Sequence, residues 1–536
     1  MLKLLSILLS SASLIGVASA KKIETPAVLQ IDTEKSAPSS LKSGTATDTT
    51  KKVEDLSSLT HTGAEGFLTQ KVDNIETLTR KNFDSMSGLQ EDSLAKSMAD
   101  AYQTNPQIKQ QISVVRATVE KTVQAKSGWR PTINGTVSSG LSQSNIMGDS
   151  LKQQRNTPGV TKSQKDGSLS AKVELRQNLF AGGQTLNQMK ETESAYKAAK
   201  SALIDAEQTV LLNVASTYMS LMSKYAEIEL LKRNESNLKE TLKATQDKYE
   251  VGEETRTSVA QADAQLAAGI AQRITAEGEL EQLKGTFEKT TFRKPGKLAK
   301  PQLPKNMPKT LEETIERARL NAPTLLKAMQ DEKTARHAVD RITGALLPSL
   351  DLVGSSAASK DHLKSKYTQS NNPGIINPQT NRRVDHSVQL QMTVPLYEAG
   401  NTRSQRREAS ESAEQARIII EQTRRAIVEQ AIAAWNKFKA AEAKIAEFKK
   451  QAQANLISLD GTQQELLVGS KILLDVLNAI NRLVESQVNL VKAEQDYFAA
   501  AYEVMFVMGE LTAKSLGLKV DLYDPDIHYR ETTNSF

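Results

Sequence analysis

Apolar residues along this chain follow two different periods, and the order in which those periods succeed one another occurs twice. Residues 93–127 place apolar side chains at helical spacing, with Asn105 before Pro106 setting proline where a first helical turn tolerates it. The period then becomes two: Ile133, Gly135, Val137, Ser139 and Leu141 alternate with Thr132, Asn134, Thr136 and Ser138. Such alternation predicts a strand over about 131–142 with one polar face. It resumes after a long polar segment containing Pro158-Gly159, predicting a second strand over about 169–180. Residues 184–251 then contain neither Gly nor Pro and predict a helix of about 60–65 residues, some 90–100 Å at 1.5 Å per residue. Gly252 ends it, glycine being the residue that closes a helix through a left-handed position, and a return helix is expected over about 256–291.

Residues 310–509 carry the same succession at a constant offset of 217. Ser93-Leu94 corresponds to Thr310-Leu311, Pro106 to Pro323, Pro131 to Pro348, Gly183 to Gly400 and Val251-Gly252 to Val468-Gly469. One offset held through helix-like and strand-like segments marks two copies of one structural unit, residues 93–292 and 310–509. In the second copy strands are expected over about 348–358 and 386–397, a long helix over about 401–466 and a return helix over about 471–511. Thr310 with Glu313 forms a capping-box pattern. Leu473, Leu477, Ile480, Val484, Val488 and Val491 lie on one stripe of the return helix, so antiparallel coiled-coil pairing follows. Between the copies, residues 293–309 with Pro295, Pro301, Pro304 and Pro308 read as an extended connector; residues 512–536 form a tail.

The N-terminal side reads differently. Residues 1–20 run from Lys3 through an apolar stretch to Ala18-Ser19-Ala20, the pattern of a secretory signal peptide. Residues 21–92 are polar, bury too little to offset their ordering entropy, and are expected to be mostly disordered.

Composition narrows the chemistry. With 38% hydrophobic and 25% charged residues in 536, a polytopic helical transporter is excluded. No cysteine is present, which removes disulfides, thiolate metal sites and lipid anchoring through an N-terminal Cys; five histidines leave little for imidazole chemistry. No metal or cofactor is expected. A net charge of +6 from 69 basic and 63 acidic residues gives no reason to expect a nucleic-acid partner. Ala181-Gly182-Gly183 lacks the following Lys-Ser/Thr of a phosphate loop, and no His-Glu-x-x-His or Gly-x-Ser-x-Gly occurs, so an enzyme is not expected.

Four strands with one lipid-compatible face cannot close a barrel, for which about eight are the minimum. Open edges in hydrocarbon would leave amides unpaired at several kcal/mol each, so other copies must complete the sheet. The sheet therefore demands an oligomer, of whatever number closes it.

This order of elements resembles the TolC family of outer-membrane factors over roughly residues 93–525. The resemblance is carried by Ala181-Gly182-Gly183-Gln184, by Tyr397-Glu398-Ala399-Gly400-Asn401, by the stretch from Val468 to Ala479, and by Leu522-Tyr523-Asp524-Pro525. It implies a mainly α protein with a small transmembrane β part, a homotrimer with a 12-stranded barrel and a periplasmic α-helical tunnel. Passive export of proteins or small toxic compounds is implied, driven by an inner-membrane ABC or proton-driven transporter through a periplasmic adaptor. An adhesin-like or periplasmic coiled-coil structural protein is the alternative.

The resemblance also implies a periplasmic aperture. By motif position Asp475 falls on the first ring acid, Asn478 on the second, Lys471 on a basic latch, Leu466 on an aromatic latch and Ser258 on the first-copy acid. Asn at 478 removes one acidic ring, and Lys at 471 cannot latch a carboxylate bidentately as Arg does. Asp475 also lies near a helix start, where capping alone would account for it. Val251, Gly252, Val468 and Gly469 are expected at periplasmic tip turns. Arg403, Arg406 and Arg407 follow a strand at a helix N-terminus and ask for an anionic partner, either lipid headgroups or solvent counterions.

Overall fold

The computed structural model of the chain describes residues 91–147, 161–369 and 372–534. The expected signal peptide and the polar segment up to residue 90 lie outside the described residues. After a short strand, β1 (Glu91–Asp92), come α1 (Leu94–Thr104) and α2 (Pro106–Ser127). Ser93 Oγ accepts from the Lys96 N–H at 3.2 Å and Asn105 Oδ1 from the Gln107 N–H at 2.9 Å, so each helix starts on a side-chain cap, and Pro106 sits in the first turn of α2. Strands β2 (Thr132–Met147) and β3 (Thr161–Ala181) follow, then α3 (Gln184–Glu250) and α4 (Arg256–Thr291). With 67 residues, α3 is about 100 Å long.

A short strand β4 (Lys297–Leu298) precedes the second half: α5 (Leu311–Asn321), α6 (Pro323–Gly344), β5 (Ser349–Gln369), β6 (Asn372–Thr393), α7 (Asn401–Leu467) and α8 (Leu473–Val507). Each of α5, α6, β5, α7 and α8 begins 217 positions after α1, α2, β2, α3 and α4. The long helices pair with their return helices, α3 with α4 and α7 with α8, while α6 packs on both α3 and α7. The main apolar core draws on α1, α2, α3, α4, α7 and α8, with Tyr218, Phe287, Leu211 and Met505 among its fully buried side chains.

Strands β2, β3, β5 and β6 form one four-stranded antiparallel sheet in that order. The two expected hairpins are therefore joined through β3 and β5. All four strands run past their expected ends on the side away from the helices, because backbone pairing continues through residues polar on both faces, such as Ser142, Gln143 and Ser144 against Asp166, Lys165 and Gln164. Strand β6 begins earlier than expected, at Asn372, and stops at Thr393 rather than 397, since Pro395 has no N–H to give a ladder.

Three further expectations are corrected. Residues Glu91 and Asp92 belong to strand β1, which pairs in parallel with β4 inside the Pro-rich connector. Asp92 is fully buried and ion-paired with Arg293, whose Nε also lies 2.7 Å from Asp100; the connector is thus pinned to the helices rather than a free link. The second return helix begins at Leu473 and ends at Val507, two residues before Gly509 takes a left-handed φ of 76°. The tail contains α9 (Pro525–Asn534), packed on α2. Tyr102 accepts from the Tyr523 N–H at 3.2 Å, and the Ala513 N–H donates to Glu207 at 2.6 Å. Burial pushes the Glu207 carboxyl above its ordinary range despite that hydrogen bond.

Candidate channel wall and aperture

Cross-strand register sorts the sheet's side chains onto two faces of opposite character. On one face Ile133, Leu175, Gly354 and Val388 form a row, followed by Val137, Ala171, Ala358 and Val384. Leu352, Leu390 and Met392 lie on the same face nearer the helices, and the irregularity after Asn178 puts Phe180 opposite Leu350 there. No helix covers this face: Val137, Val388 and Met392 are 73%, 80% and 63% exposed. Met392 and Val384 are eight residues apart, about 27 Å along the strand, comparable to the roughly 25 Å apolar band of outer-membrane barrels.

The other face is polar and is cross-linked by side-chain hydrogen bonds. Ser138 meets Ser170 at 2.7 Å and Ser355 meets Ser387 at 2.9 Å. Arg176 donates to Asp351 at 2.7 Å, and Asn178 donates to its second oxygen at 3.1 Å. Asp351 is almost fully buried and was not singled out by sequence reasoning. Its signal was available: it is an acid on the polar phase of a strand, three residues after Pro348. The two outer edges of the sheet, along β2 and β6, have no strand partner among the described residues.

At the opposite end of the long helices are the tips. Gly252 and Gly469 have φ of 82° and 76°, the left-handed region that favours glycine. Their N–H groups donate to Tyr249 and Leu466 carbonyls at 3.0 Å, and the following N–H groups of Glu253 and Ser470 reach back to Lys248 and Glu465 at 2.9 Å. Val251 and Val468 are exposed at these turns, with Leu467 and Ile472 beside them.

Ser258 and Asp475 are the third residues of α4 and α8, and their surroundings differ. Thr255 caps α4 by accepting from the Ser258 N–H at 3.1 Å. Its counterpart Ile472 has no polar side chain, so the only capping contact at α8 is the Asp475 carboxylate accepting from the Ile472 N–H at 3.4 Å. Asp475 is half-buried, Asn478 and Lys471 are exposed. Leu466 packs partly buried beside an apolar cluster of Leu238, Ala262, Leu473 and Leu477, which joins the two helical pairs near their tips. Gln265 donates to Asn481 at 2.6 Å, a further link between α4 and α8 that sequence reasoning did not single out. Arg403, Arg406 and Arg407 are exposed at the helix-side end of the sheet.

Among the described residues, no helix is long and apolar enough to cross a membrane, and no group of three or more His, Asp or Glu stands where it could hold a metal ion. The arrangement offers a lipid-compatible wall, a polar wall behind it and a helical stalk ending in glycine turns.

Comparison with known proteins agrees with that arrangement. The family model described as "Outer membrane efflux protein" matches residues 98–285 and 314–510. The outer membrane efflux protein BepC of Brucella suis is 28% identical over 439 residues, covering 82% of this chain and 90% of that protein. The alkaline protease secretion protein AprF of Pseudomonas aeruginosa is 25% identical over 450 residues, 80% of this chain and 88% of its own length. Among solved structures, the CmeC outer membrane channel of Campylobacter jejuni shares the fold with a TM-score of 0.65 at 17% identity, covering 83% of this chain and 89% of that one.

Proposed function

The chain belongs to the outer membrane efflux protein family and is an outer-membrane channel protein of Gram-negative type reaching into the periplasm; from that premise we propose that three copies assemble into one passive export duct. The observation that carries the reading is a sheet with two edges unpaired among the described residues and one bare apolar face. Such a sheet is stable in lipid only if its edges are paired by neighbours. Three copies supply twelve strands; the number three rests on the resemblance to TolC-type channels.

The internal offset specifies how the edges meet. Within one chain β3 pairs with β5 so that Ala171 faces Ala358 and Leu175 faces Gly354. Shifting the first partner forward and the second back by 217 pairs β6 with β2 of the next copy, placing Val388 opposite Leu141 and Met392 opposite Val137. All four are exposed apolar residues of the same face, so the shift buries like against like. Likewise α6 packs on both α3 and α7, whereas among the long helices α2 packs extensively on α3 and not on α7; α7 of a neighbour is its missing partner.

The polar face then lines the duct and the apolar face meets lipid. At the tips, the Asp475 carboxylates of the copies form an acidic ring, with Asn478 leaving a second level neutral and Lys471 beside it; Leu466 holds the helices by packing rather than as an aromatic latch. The exposed tips at Val251, Gly252, Val468 and Gly469 meet a periplasmic adaptor. An inner-membrane ABC or proton-driven transporter supplies energy, since nothing in this chain resembles a nucleotide site. Names of relatives span efflux and protease secretion, so cargo is either small toxic compounds or protein.

The mass of the detergent-extracted complex tests this reading. Three copies are expected, with a cation-blockable conductance in planar bilayers. A stable single copy, or a protein released by carbonate washing, would contradict it.

A further inference from the structure

We propose that the outward face of the sheet carries, beyond its apolar band, a binding surface for the phosphate groups of the outer-leaflet glycolipid. The inference rests on the barrel reading, which turns that face to the membrane.

The cations are placed by register. Lys165 lies opposite Lys364, and Leu169, Lys360 and Arg382 form another row, with Gly167, His362 and Thr380 between the two. Rows on one face are about 7 Å apart and neighbouring strands about 4.8 Å apart, so these charges share a patch roughly 14 Å high. All of them are exposed. His362 Nδ1 lies 2.8 Å from Thr380 Oγ1, which fixes the ring at the centre of the patch.

Charge is segregated between the faces. The acids of the described strand side chains, Asp166, Glu174, Asp351, Asp361 and Asp385, all fall on the polar face by the same register. The described cation side chains of that face are paired: Lys172 with Glu174 at 2.5 Å, Arg176 with Asp351 at 2.7 Å and Arg383 with Asp385 at 2.7 Å. Lys165, Lys360, Lys364 and Arg382 have no ion pair among the described residues, and no acid of their own face to form one. Unpaired like charges packed this closely repel unless an external anion sits on them.

Position names the anion. The helices join the sheet at Thr132, Ala181, Ser349 and Thr393, and the cations lie toward the opposite end, past Val384 and Val137. With the helices in the periplasm, that end is the outer leaflet, whose glycolipid carries phosphates directly above its acyl chains. One ligand therefore satisfies both features: its chains cover the apolar band and its phosphates meet the Lys and Arg groups. A convex open surface holds a free phosphate poorly, because nothing encloses it.

The test uses the purified full-length oligomer in detergent, with diphosphorylated lipid A and the same lipid A stripped of phosphate as probes, read by native mass spectrometry. The wild type is expected to bind the phosphorylated form about tenfold more tightly or better, from several interfacial charges acting together. The combined variant K165Q/K360Q/K364Q/R382Q is expected to lose that preference, and K172Q/R383Q on the polar face to keep it. Equal binding of both lipids by the wild type would overturn the proposal, as would an undiminished preference in the outward variant or effective competition by millimolar inorganic phosphate. The wild-type comparison decides even if the combined variant fails to assemble. Because the spectra also report copy number, failure of the trimer reading registers separately from failure of phosphate recognition.

Discussion

The Tyr196 hydroxyl donates to Asp526 Oδ1 at 2.7 Å, fastening α9 to α3 between residues 330 positions apart. Lys200 reaches the second carboxylate oxygen at 2.5 Å, and Tyr529 stacks on Tyr196 with ring centroids 4.5 Å apart. The Lys200 and Tyr196 hydrogen bonds hold the Asp526 carboxyl below its ordinary range. A depressed carboxyl contributes stability above the ordinary aspartate pKa of about 3.9 and loses it as pH falls through the lower folded value. Asp526→Asn is therefore expected to lower the thermal midpoint at neutral pH, on the scale of about 0.5–1 kcal/mol for a half-exposed pair. Below the folded value the variant and the wild type should unfold together; thermal scans across pH check this.

Glu207 works in the opposite sense. Its carboxyl is pushed up by burial, so stability is fully present below the unfolded glutamate pKa and declines as pH rises through the folded one. Glu207→Gln keeps an oxygen for the Ala513 N–H and has no charge to desolvate. It is expected to raise the thermal midpoint at neutral pH, with the gain disappearing in acid.

Gly182 and Ala399 occupy equivalent positions before α3 and α7, with φ of 61° and 50°. A Cβ on Gly182 would stand 2.2 Å from the Gly344 carbonyl oxygen, so Gly182→Ala is expected to cost about 3 kcal/mol through overpacking and strain. Ala399 carries a left-handed strain that glycine would relieve, and Ala399→Gly is expected to gain about 1 kcal/mol. Denaturant unfolding of both variants checks the contrast.

Asp475 both caps α8 and supplies the proposed acidic ring. Asp475→Ala should lower stability by about 1 kcal/mol through the lost cap, and should weaken block of single-channel current by a polyvalent cation. Asn478→Asp should deepen that block by restoring a second acidic level. Identical block in wild type and Asp475→Ala would remove Asp475 from the aperture.

Much of the fold is legible in the pattern of residues. The Gly- and Pro-free runs after Gly183 and Gly400 locate the long helices, because nothing in them can stop a helix, and glycine turns locate the tips. The outer reaches of the hairpins are not legible: around Gln143 and Lys165 both faces are polar, and backbone pairing carries the strands without an apolar phase. Nor is the pairing of β1 with β4, two residues on each side, which depends on burying Asp92 against Arg293 from a distant segment. At the helix tips, position alone makes Asp475 and Ser258 equivalents, but only geometry reveals that Thr255 caps one helix while Asp475 must cap the other. The cation patch is not legible in the sequence either, because Lys165, Lys360, Lys364 and Arg382 converge only through strand register.

In the proposed channel, neighbouring copies close the sheet in one register. The chain has no cysteine, so introduced pairs report without background. Strands β2 and β6 are separated within one chain by two others, about 14 Å, beyond the 4.4–6.8 Å Cα separation a disulfide spans. Oxidising the double variant L141C/V388C in membranes should therefore yield covalent dimers and trimers, while L141C/Q389C, with its cysteines on opposite faces, should not. A chain that stays monomeric, or that links equally well through position 389, would contradict the closed barrel.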